Sequence, residues 1–365
     1  MSRPGRALTD LVRCLGGAPI ASPDLVPVFK IANDHLLSPA LWRALSDSGQ
    51  AAALPVEAGE YLATLHRLNG DRNRALRRQA IELIGALNHR GIIPALLKGG
   101  LALFDGPYAD PAVRMMRDLD ILVPAGSKGD AIAVLERLGY RLTQQYEAGH
   151  HAFGDFARPN DPGSVDLHTE LVDPSHVLPA SEVWGRAEPR EVGGETGGVR
   201  YLSPCATDRI MHNLLHAQIH YLGNFYRGDL QIQQVYELVA LARHFGPAVD
   251  WPFVQQRMHA HRLTTALESY LLAAHRLLGL EWPLESRPSF GAGLNYFRCE
   301  VQFGARPLRW IGVPWGNLRG AFAWHRMHAL HGDAGGPLRW RCRHLLQYLR
   351  EKGIGATLVR LLRVH

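Results

Sequence analysis

Two aspartates separated by one residue within an apolar run constrain this chain more than any other feature. The run DLDILV occupies positions 118–123 and ends at Pro124. Side chains alternate along a strand, so the carboxylates of Asp118 and Asp120 lie on the same face. Neighbouring carboxylates repel each other unless a positive charge lies between them, and in proteins a divalent metal often supplies that charge. The pair therefore predicts a metal site on a sheet, with a phosphate substrate as its companion.

A pair of glycines precedes this strand at a change of local structure. Residues 92–97 form a short apolar run typical of a strand, Lys98-Gly99-Gly100 predicts a turn, and a helical pattern follows. Glycines at the start of a helix let phosphate oxygens approach backbone N–H groups, and the helix dipole favours that charge. A Gly-Gly turn alone is weak evidence. Followed by a strand with two spaced aspartates, it is considerably more specific.

A third carboxylate lies on a later predicted strand. The segment 164–168, SVDLH, places Asp166 and His168 on one face. If this strand is a neighbour of 118–123, then Asp118, Asp120 and Asp166 converge on one patch. Nucleotidyl transfer needs such a patch, because the carboxylates hold two Mg²⁺ ions that clamp a triphosphate and the incoming hydroxyl.

The order of these motifs resembles that of the DNA polymerase β-like nucleotidyltransferase superfamily. More narrowly, it looks like the bacterial uncharacterised nucleotidyltransferase family, and this resemblance covers roughly residues 80–245. The matching positions are Leu97, Lys98, Gly99, Gly100, Tyr108, Pro111, Arg114, the strand 118–123, Leu138-Gly139-Tyr140, Val165-Asp166-Leu167-His168 and the helix with His212, His216 and His220. In this chain the interval from glycine to aspartate is longer than in the common superfamily form, which affects the loop more than the chemistry.

The resemblance implies a role for each matching residue. Gly99 and Gly100 would bind phosphate, while Asp118, Asp120 and Asp166 would hold the metal and carry the catalysis. Two Mg²⁺ or Mn²⁺ ions and an NTP donor would be the cofactor and substrate. The acceptor is not implied, because members of the family lack a firmly assigned one.

Three basic side chains flank the acidic pair. Lys98, Arg114 and Arg117 either contact a triphosphate, with arginine as a bidentate fork, or neutralise nearby acids. The family pattern favours a phosphate contact for Arg114. The role of His168 is also open, between orienting a substrate and packing.

Three histidines recur at every fourth position of one predicted helix, at His212, His216 and His220. Histidines at this spacing can bind zinc, but the glutamate of an H-E-x-x-H motif is missing, which argues against a zinc hydrolase. We expect packing or polar contacts, with His216 a candidate for substrate contact. Asp229 is either a helix N-cap or a site residue.

The remaining pattern predicts an α+β protein with a small mixed-sheet core. We expect an N-terminal helical segment at 1–74, the nucleotidyltransferase core at 75–202, and a C-terminal helical domain at 203–365. Residues 57–89 predict one long amphipathic helix whose arginines, including Arg72 and Arg77, face solvent. Residues 172–203 predict a loop-rich region.

Charge and hydropathy limit the partners and the location. The net charge is only +6, and the positive residues are scattered, which disfavours a specific nucleic-acid partner. Polar residues interrupt any signal-peptide core, and no apolar run approaches membrane-spanning length, so we predict a cytoplasmic location. The basic, apolar-interleaved stretch 339–344 either covers the core as a solvated helix or makes a weak contact with an anionic lipid or acidic partner.

These observations favour a metal-dependent transferase. It would move a nucleoside monophosphate, or a related phosphate-linked group, from an NTP-type donor to a hydroxyl or phosphate of a small molecule, sugar or peptide. One alternative is a catalytically silent nucleotide-binding or interaction module, although all three carboxylates are present. A less favoured alternative is an RNA-end nucleotidyltransferase. The acceptor, the donor base and the oligomeric state are not encoded in any recognisable pattern.

Overall fold

The computed structural model describes residues 3–20, 24–147, 150–194, 197–220 and 223–331, together with the short pieces 339–343, 345–346, 349–350, 353 and 355. The chain forms two compact units. One, the sheet unit, comprises residues 7–213 and 237–249; the other, the helical unit, comprises 1–6, 214–236 and 250–365. The division at 74 and 202 stays a prediction.

Helices dominate the described residues. In chain order they are α1 (Arg3–Leu15), α2 (Leu25–Asp34), α3 (Ser38–Asp47), α4 (Val56–Asn88), α5 (Lys98–Ala102), α6 (Lys128–Arg137), α7 (Ala180–Arg186), α8 (Ala206–Gln218), α9 (Asn224–Arg227), α10 (Ile232–Phe245), α11 (Trp251–Ala260), α12 (Thr264–Leu278), α13 (Phe290–Gly304), α14 (Arg306–Ala321) and α15 (Trp324–His331). No helix in these ranges is long and apolar enough to cross a membrane. Residues 356–365, which belong to the predicted C-terminal helical domain, lie outside the described residues.

A mixed sheet forms the centre of the sheet unit. Its strands are β1 (Ala95–Leu96), β2 (Asp118–Leu122), β3 (Arg141–Gln145), β4 (Ala152–Ala157), β5 (Ser164–His168), β6 (Glu188–Gly194) and β7 (Gly197–Ser203). Their spatial order is β3-β4-β5-β2-β1-β7-β6. The pairs β2–β5 and β1–β7 are parallel, and the other pairs are antiparallel. The predicted α+β fold with a mixed-sheet core is therefore confirmed.

The expectation of a loop-rich region at 172–203 was wrong. This stretch contains the helix α7 and the hairpin of β6 and β7, which extends the sheet beyond β1. Val199 and Tyr201 alternate along β7 and are buried in the core, so they supply the apolar face that a strand needs. The glycines of the turn conceal this alternation in the sequence.

The long helix α4 packs against the sheet, as its apolar periodicity predicts. Leu76, Leu83 and Leu87 lie in the same buried cluster as the strand residues. However, the expectation that its arginines face solvent was wrong for two of them. Arg72 donates to the backbone carbonyl oxygens of Met116, Arg117 and Pro162, and the guanidinium of Arg77 lies over the ring of Phe104 at 5.0 Å.

Candidate functional site

Two neighbouring parallel strands bring the predicted carboxylates together. Asp120 on β2 pairs in register with Asp166 on β5, and Asp118 lies one pleat earlier opposite Ser164. The expected adjacency of these strands is thus confirmed. The apolar residues between the aspartates, such as Leu119 and Val165, point to the opposite face and are fully buried in the core. The alternation that buries one face therefore presents three carboxylates on the other.

A buried imidazole links two of these carboxylates. Nε2 of His168 lies 3.1 Å from Oδ1 of Asp120 and 3.0 Å from Oδ2 of Asp166, while Nδ1 lies 3.2 Å from the backbone oxygen of Glu170. All three partners are acceptors, so both ring nitrogens donate and the ring carries a positive charge. Burial alone would lower the pKa of His168, but its hydrogen bonds to the two aspartates outweigh burial and raise the pKa to about 9.

A second positive charge reaches the same oxygen. Nζ of Lys98 lies 2.7 Å from Oδ1 of Asp120, and burial of the ammonium is outweighed by this carboxylate, which raises the pKa of Lys98. Lys98 has a φ of +42°, a region that residues other than glycine seldom adopt. Such a backbone persists only where surrounding contacts hold it in place, and it directs the lysine toward the carboxylates.

The two aspartates of β2 have different proton affinities. Burial would raise the pKa of Asp120, but Lys98 and His168 hold it well below its usual range. Burial raises the pKa of Asp118 to about 6, and the charge of Asp120 adds to this rise against the opposing effect of Lys98. Asp118 is thus the carboxylate whose charge state changes near neutral pH.

The donor atoms fit a metal ion. Oxygen atoms of Asp120 and Asp166 and a ring nitrogen of His168 lie within 4.8 Å of one another. Because both nitrogens of His168 donate hydrogen bonds, the two carboxylates would supply the ligands and His168 holds them in place. Within the described ranges, Oδ1 of Asp166 is buried without a hydrogen-bond partner. A buried carboxylate oxygen of this kind is costly unless it binds something, and a hard cation is the partner that carboxylates prefer. The carboxylates suit Mg²⁺ or Mn²⁺.

Sequence reasoning missed a fourth carboxylate on the same face. Asp155 on β4 lies directly opposite Asp166, and its Oδ2 accepts a hydrogen bond from the Tyr146 hydroxyl at 3.0 Å. Burial and the charge of Asp166 raise its pKa. The signal in the sequence was a lone acid between the apolar residues of 152–157, but which strand lies beside β5 is a property of the sheet order.

Close packing requires the first glycine of the pair but not the second. A side chain at Gly99 would collide with Nη1 of Arg114 and would lie 3.1 Å from Cβ of Met116. At Gly100 a Cβ would lie 3.5 Å from the backbone oxygen of Asp120, an ordinary contact. Glycine at position 99 thus leaves room for the guanidinium of Arg114, and this requirement is separate from any phosphate binding.

Arg114 forms a buried bidentate ion pair. Its Nε and Nη2 lie 3.0 Å from Oε1 and Oε2 of Glu237 on α10, and both side chains are nearly buried. Burial would lower the pKa of Arg114, but Glu237 outweighs it and raises the pKa. A role for Arg114 in phosphate binding stays a prediction, because its observed partner is this glutamate.

Replacing Gly99 by alanine should destabilise the protein by about 1–3 kcal/mol, because the added methyl group displaces the buried guanidinium of Arg114. Gly129→Ala is the matched control: Gly129 lies in α6 with open space around it, so alanine there should be neutral or stabilise by up to about 1 kcal/mol. Urea unfolding measures both. Equal effects at the two positions would contradict the packing explanation.

Helix α4 fixes the loop between the glycines and β2. The buried amide of Asn73 donates to the backbone oxygens of Pro111 at 2.6 Å and Arg114 at 2.8 Å. Asn69 donates to the backbone oxygens of Ala112 at 2.6 Å and Arg114 at 3.0 Å. A loop with so many anchored carbonyl groups is held in one conformation, which positions Arg114 beside the glycine pair.

Other predicted site residues lie elsewhere. Arg117 is exposed at the start of β2. His216 and Asp229 belong to the helical unit, where Asp229 pairs with Arg309 at 2.9 Å and Arg227 at 3.5 Å. Asp229 precedes α10 by three residues, so the N-cap interpretation was wrong, and burial raises its pKa. Substrate contacts by His216 and Asp229 stay predictions.

The expected histidine stripe is interrupted. Helix α8 ends at Gln218, so His220 lies beyond it, with its ring stacked on His216 at 5.4 Å between centroids. Among the described residues, His212, His216 and His220 do not form a group that could hold a metal.

Comparisons with known proteins give one family match and one similar solved structure. A sequence profile of the family described as "Uncharacterised nucleotidyltransferase" matches residues 22–279. Comparison with curated proteins gave no match. Among solved structures, the solution structure of the antibiotic-resistance factor ANT(2'')-Ia is similar, with 14% sequence identity, coverage of 54% of this chain and 94% of that chain, and a TM-score of 0.34.

Proposed function

The chain belongs to the uncharacterised nucleotidyltransferase family, and from that premise we propose a metal-dependent reaction at the face formed by β2 and β5. The enzyme transfers a nucleoside monophosphate, or a related phosphate-linked group, from an NTP-type donor to an acceptor. The acceptor offers a hydroxyl or phosphate and is a small molecule, sugar or peptide. Asp118, Asp120 and Asp166 hold one or two Mg²⁺ or Mn²⁺ ions.

One observation carries this proposal. The three carboxylates lie on one sheet face in register, and Oδ1 of Asp166 is buried without a hydrogen-bond partner among the described residues. A sheet that only bound a neutral ligand would gain nothing from this concentration of negative charge, which costs free energy. A bound divalent metal would neutralise the phosphates and orient the acceptor hydroxyl.

Each basic residue near the carboxylates has its own role in this proposal. Lys98 neutralises Asp120 in the metal-free protein, and its ammonium is within reach of donor phosphates bound at Gly99 and Gly100. His168 is fully buried and holds Asp120 and Asp166 in place through one nitrogen. Arg117 is exposed beside Asp118 and is free to contact a triphosphate from solvent.

The function is tested by incubating the protein with α-labelled NTPs, Mg²⁺ or Mn²⁺ and a panel of hydroxyl and phosphate acceptors. We expect label transfer and pyrophosphate release that chelation abolishes. Tight, metal-dependent NTP binding without release of pyrophosphate for any acceptor would favour the catalytically silent module instead. Transfer to RNA ends, with a steep salt dependence, would favour the RNA-end alternative.

Metal binding should weaken as the pH falls through about 6. The pKa of Asp118 is raised to about 6, and the metal requires the charged carboxylate, so proton and metal compete. We expect the apparent Kd for Mn²⁺ to rise about tenfold per unit below about pH 6 and to stay level from about pH 6.5 to 8. Calorimetric titration with Mn²⁺ measures this.

Asp118→Asn is the control for this pH dependence. It removes the titrating carboxylate, so its Mn²⁺ affinity should be low and level over the same range, and wild-type affinity should approach it in acid. The stability of the metal-free protein changes with pH in the opposite direction to its metal affinity. A raised pKa in the folded state contributes stability at low pH that is lost as the pH rises through about 6. A wild-type Mn²⁺ affinity that does not change between pH 5 and 7 would contradict the assignment.

A cytoplasmic location and ATP as the donor nucleotide also stay predictions. A contact between the basic C-terminal residues and an acidic surface stays a prediction as well.

A further inference from the structure

The helix α14 has an apolar face toward solvent. Four of its large apolar side chains are exposed, with relative exposures of 45% for Leu308, 72% for Trp310, 73% for Ile311 and 60% for Trp315. Leu308, Ile311 and Trp315 follow one another at intervals of three and four residues, so they form one stripe. Water-soluble helices normally place such residues inward, and an exposed apolar face of this size indicates a binding surface.

The opposite side of α14 is the side that packs within the helical unit. Val313 is fully buried and Asn317 is 3% exposed. A side chain at Gly316 would collide with the backbone of Tyr226, so this position lies against α9. The apolar stripe is therefore separate from the side of α14 that packs within the helical unit.

Positive charge accompanies this face. Residues 290–365 contain twelve arginines and lysines but only three aspartates and glutamates, whereas the whole chain has a net charge of +6. The residues before 290 are thus net negative, and the basic character of the protein is confined to this part. Arg319, one turn beyond Trp315, is exposed, as are Arg339, Arg341 and Arg343.

We propose that the outward face of α14, defined by Leu308, Ile311 and Trp315, docks on an anionic lipid surface. Tryptophan is favoured at the boundary between headgroups and acyl chains, where its ring is apolar and its N–H remains wet. Leucine and isoleucine beside it enter the acyl region, and Arg319, one turn beyond Trp315 on the same stripe, is attracted to anionic headgroups. This inference is independent of the proposed transferase reaction.

Charge separates this occupant from the alternatives. A second copy of the chain would cover the apolar face but would bring two strongly basic segments together, which is unfavourable. A nucleic acid would match the charge and could stack on the tryptophans, but it would leave Leu308 and Ile311 without an apolar partner. An anionic bilayer satisfies both the apolar stripe and the arginines.

The test is flotation of the full-length protein with vesicles of phosphatidylcholine alone or mixed with phosphatidylglycerol. We expect binding that requires phosphatidylglycerol and falls about tenfold or more in an Ile311→Glu/Trp315→Glu double variant. Val56→Glu is the matched control. Val56 is 71% exposed on α4 in the sheet unit, so its replacement adds a charge without touching the proposed face and should leave binding unchanged.

Each other outcome contradicts the proposal. Equal binding of the double variant and the wild type would mean that charge alone acts and that the apolar face is not used. No binding to either vesicle would reject the lipid; light scattering that showed a dimer lost in the double variant would then assign the face to a second copy. Binding to RNA that displaces the protein from vesicles and is lost in the double variant would assign the face to nucleic acid. Thermal unfolding by circular dichroism confirms that the variants are folded.

Discussion

Replacing Asp120 by asparagine should reduce nucleotidyl transfer by about 10³-fold or more, since loss of a metal ligand removes several kcal/mol of transition-state stabilisation. Asp120 is the carboxylate that two positively charged side chains contact, Lys98 at 2.7 Å and His168 at 3.1 Å. An amide keeps the size of the side chain but cannot balance these charges or ligate a hard cation well. Pyrophosphate release from labelled NTP at saturating Mn²⁺ measures the loss.

Two comparisons make this result specific. Asp71→Asn removes an exposed carboxylate on α4 and should leave the rate unchanged. Unfolding by urea shows whether the Asp120 variant is folded, because Lys98 and His168 lose a buried partner in it. A folded Asp120→Asn variant with a rate within about threefold of wild type would contradict the assignment of Asp120 as a metal ligand.

Breaking the buried ion pair between Arg114 and Glu237 should give the largest loss of stability in the sheet unit. The two side chains are 11% and 10% exposed and join through two contacts of 3.0 Å. Arg114→Ala leaves the glutamate buried and unpaired, and breaking such a pair costs about 3–5 kcal/mol. Urea unfolding should show this loss, whereas Arg117→Ala, the exposed neighbour with the same charge change, should change stability by less than about 0.5 kcal/mol.

A double variant tests the cause of that loss. Arg114→Met with Glu237→Leu removes both charges and refills the space, so it should recover most of the stability that either single variant loses. The expected coupling between the two sites is about 2 kcal/mol or more. Additive losses in the double variant would show that the residues act separately and that the ion pair is not their shared contribution.

The local pattern of the chain predicts the central elements because each is encoded over short distances. The alternation in 118–123 and 164–168 identifies β2 and β5, and the periodicity of 57–89 identifies α4. The adjacency of β2 and β5 was only the condition under which Asp118, Asp120 and Asp166 would converge, and the structure meets it. The predicted elements themselves rest on residues that are neighbours in sequence.

Long-range pairing could not be predicted in the same way. Glu237 lies 123 residues after Arg114, and a glutamate in an amphipathic helix gives no sign that it is buried. Asp155 joins the site only because β4 pairs with β5, a property of the strand order. The β6–β7 hairpin joins the sheet through the pairing of β7 with β1, and its glycine-rich sequence gives no sign of that partner.

The glycine pair shows how a correct motif can have an incomplete explanation. Its position at a strand-to-helix turn is confirmed, since β1 ends at Leu96 and α5 starts at Lys98. Phosphate binding gives one reason for glycine at position 99. The guanidinium of Arg114 gives another, because it occupies the space that a side chain would need. Only the folded arrangement shows the second reason.

The most direct measurement of the central claim is calorimetric binding of a non-hydrolysable NTP analogue, with and without Mn²⁺, to the wild type and to Asp118→Asn and Asp120→Asn. We expect binding that requires Mn²⁺ in the wild type and that weakens by about 100-fold or more in both variants. Nucleotide binding that persists in both variants, with the same dependence on Mn²⁺ as the wild type, would contradict a metal site built on these aspartates.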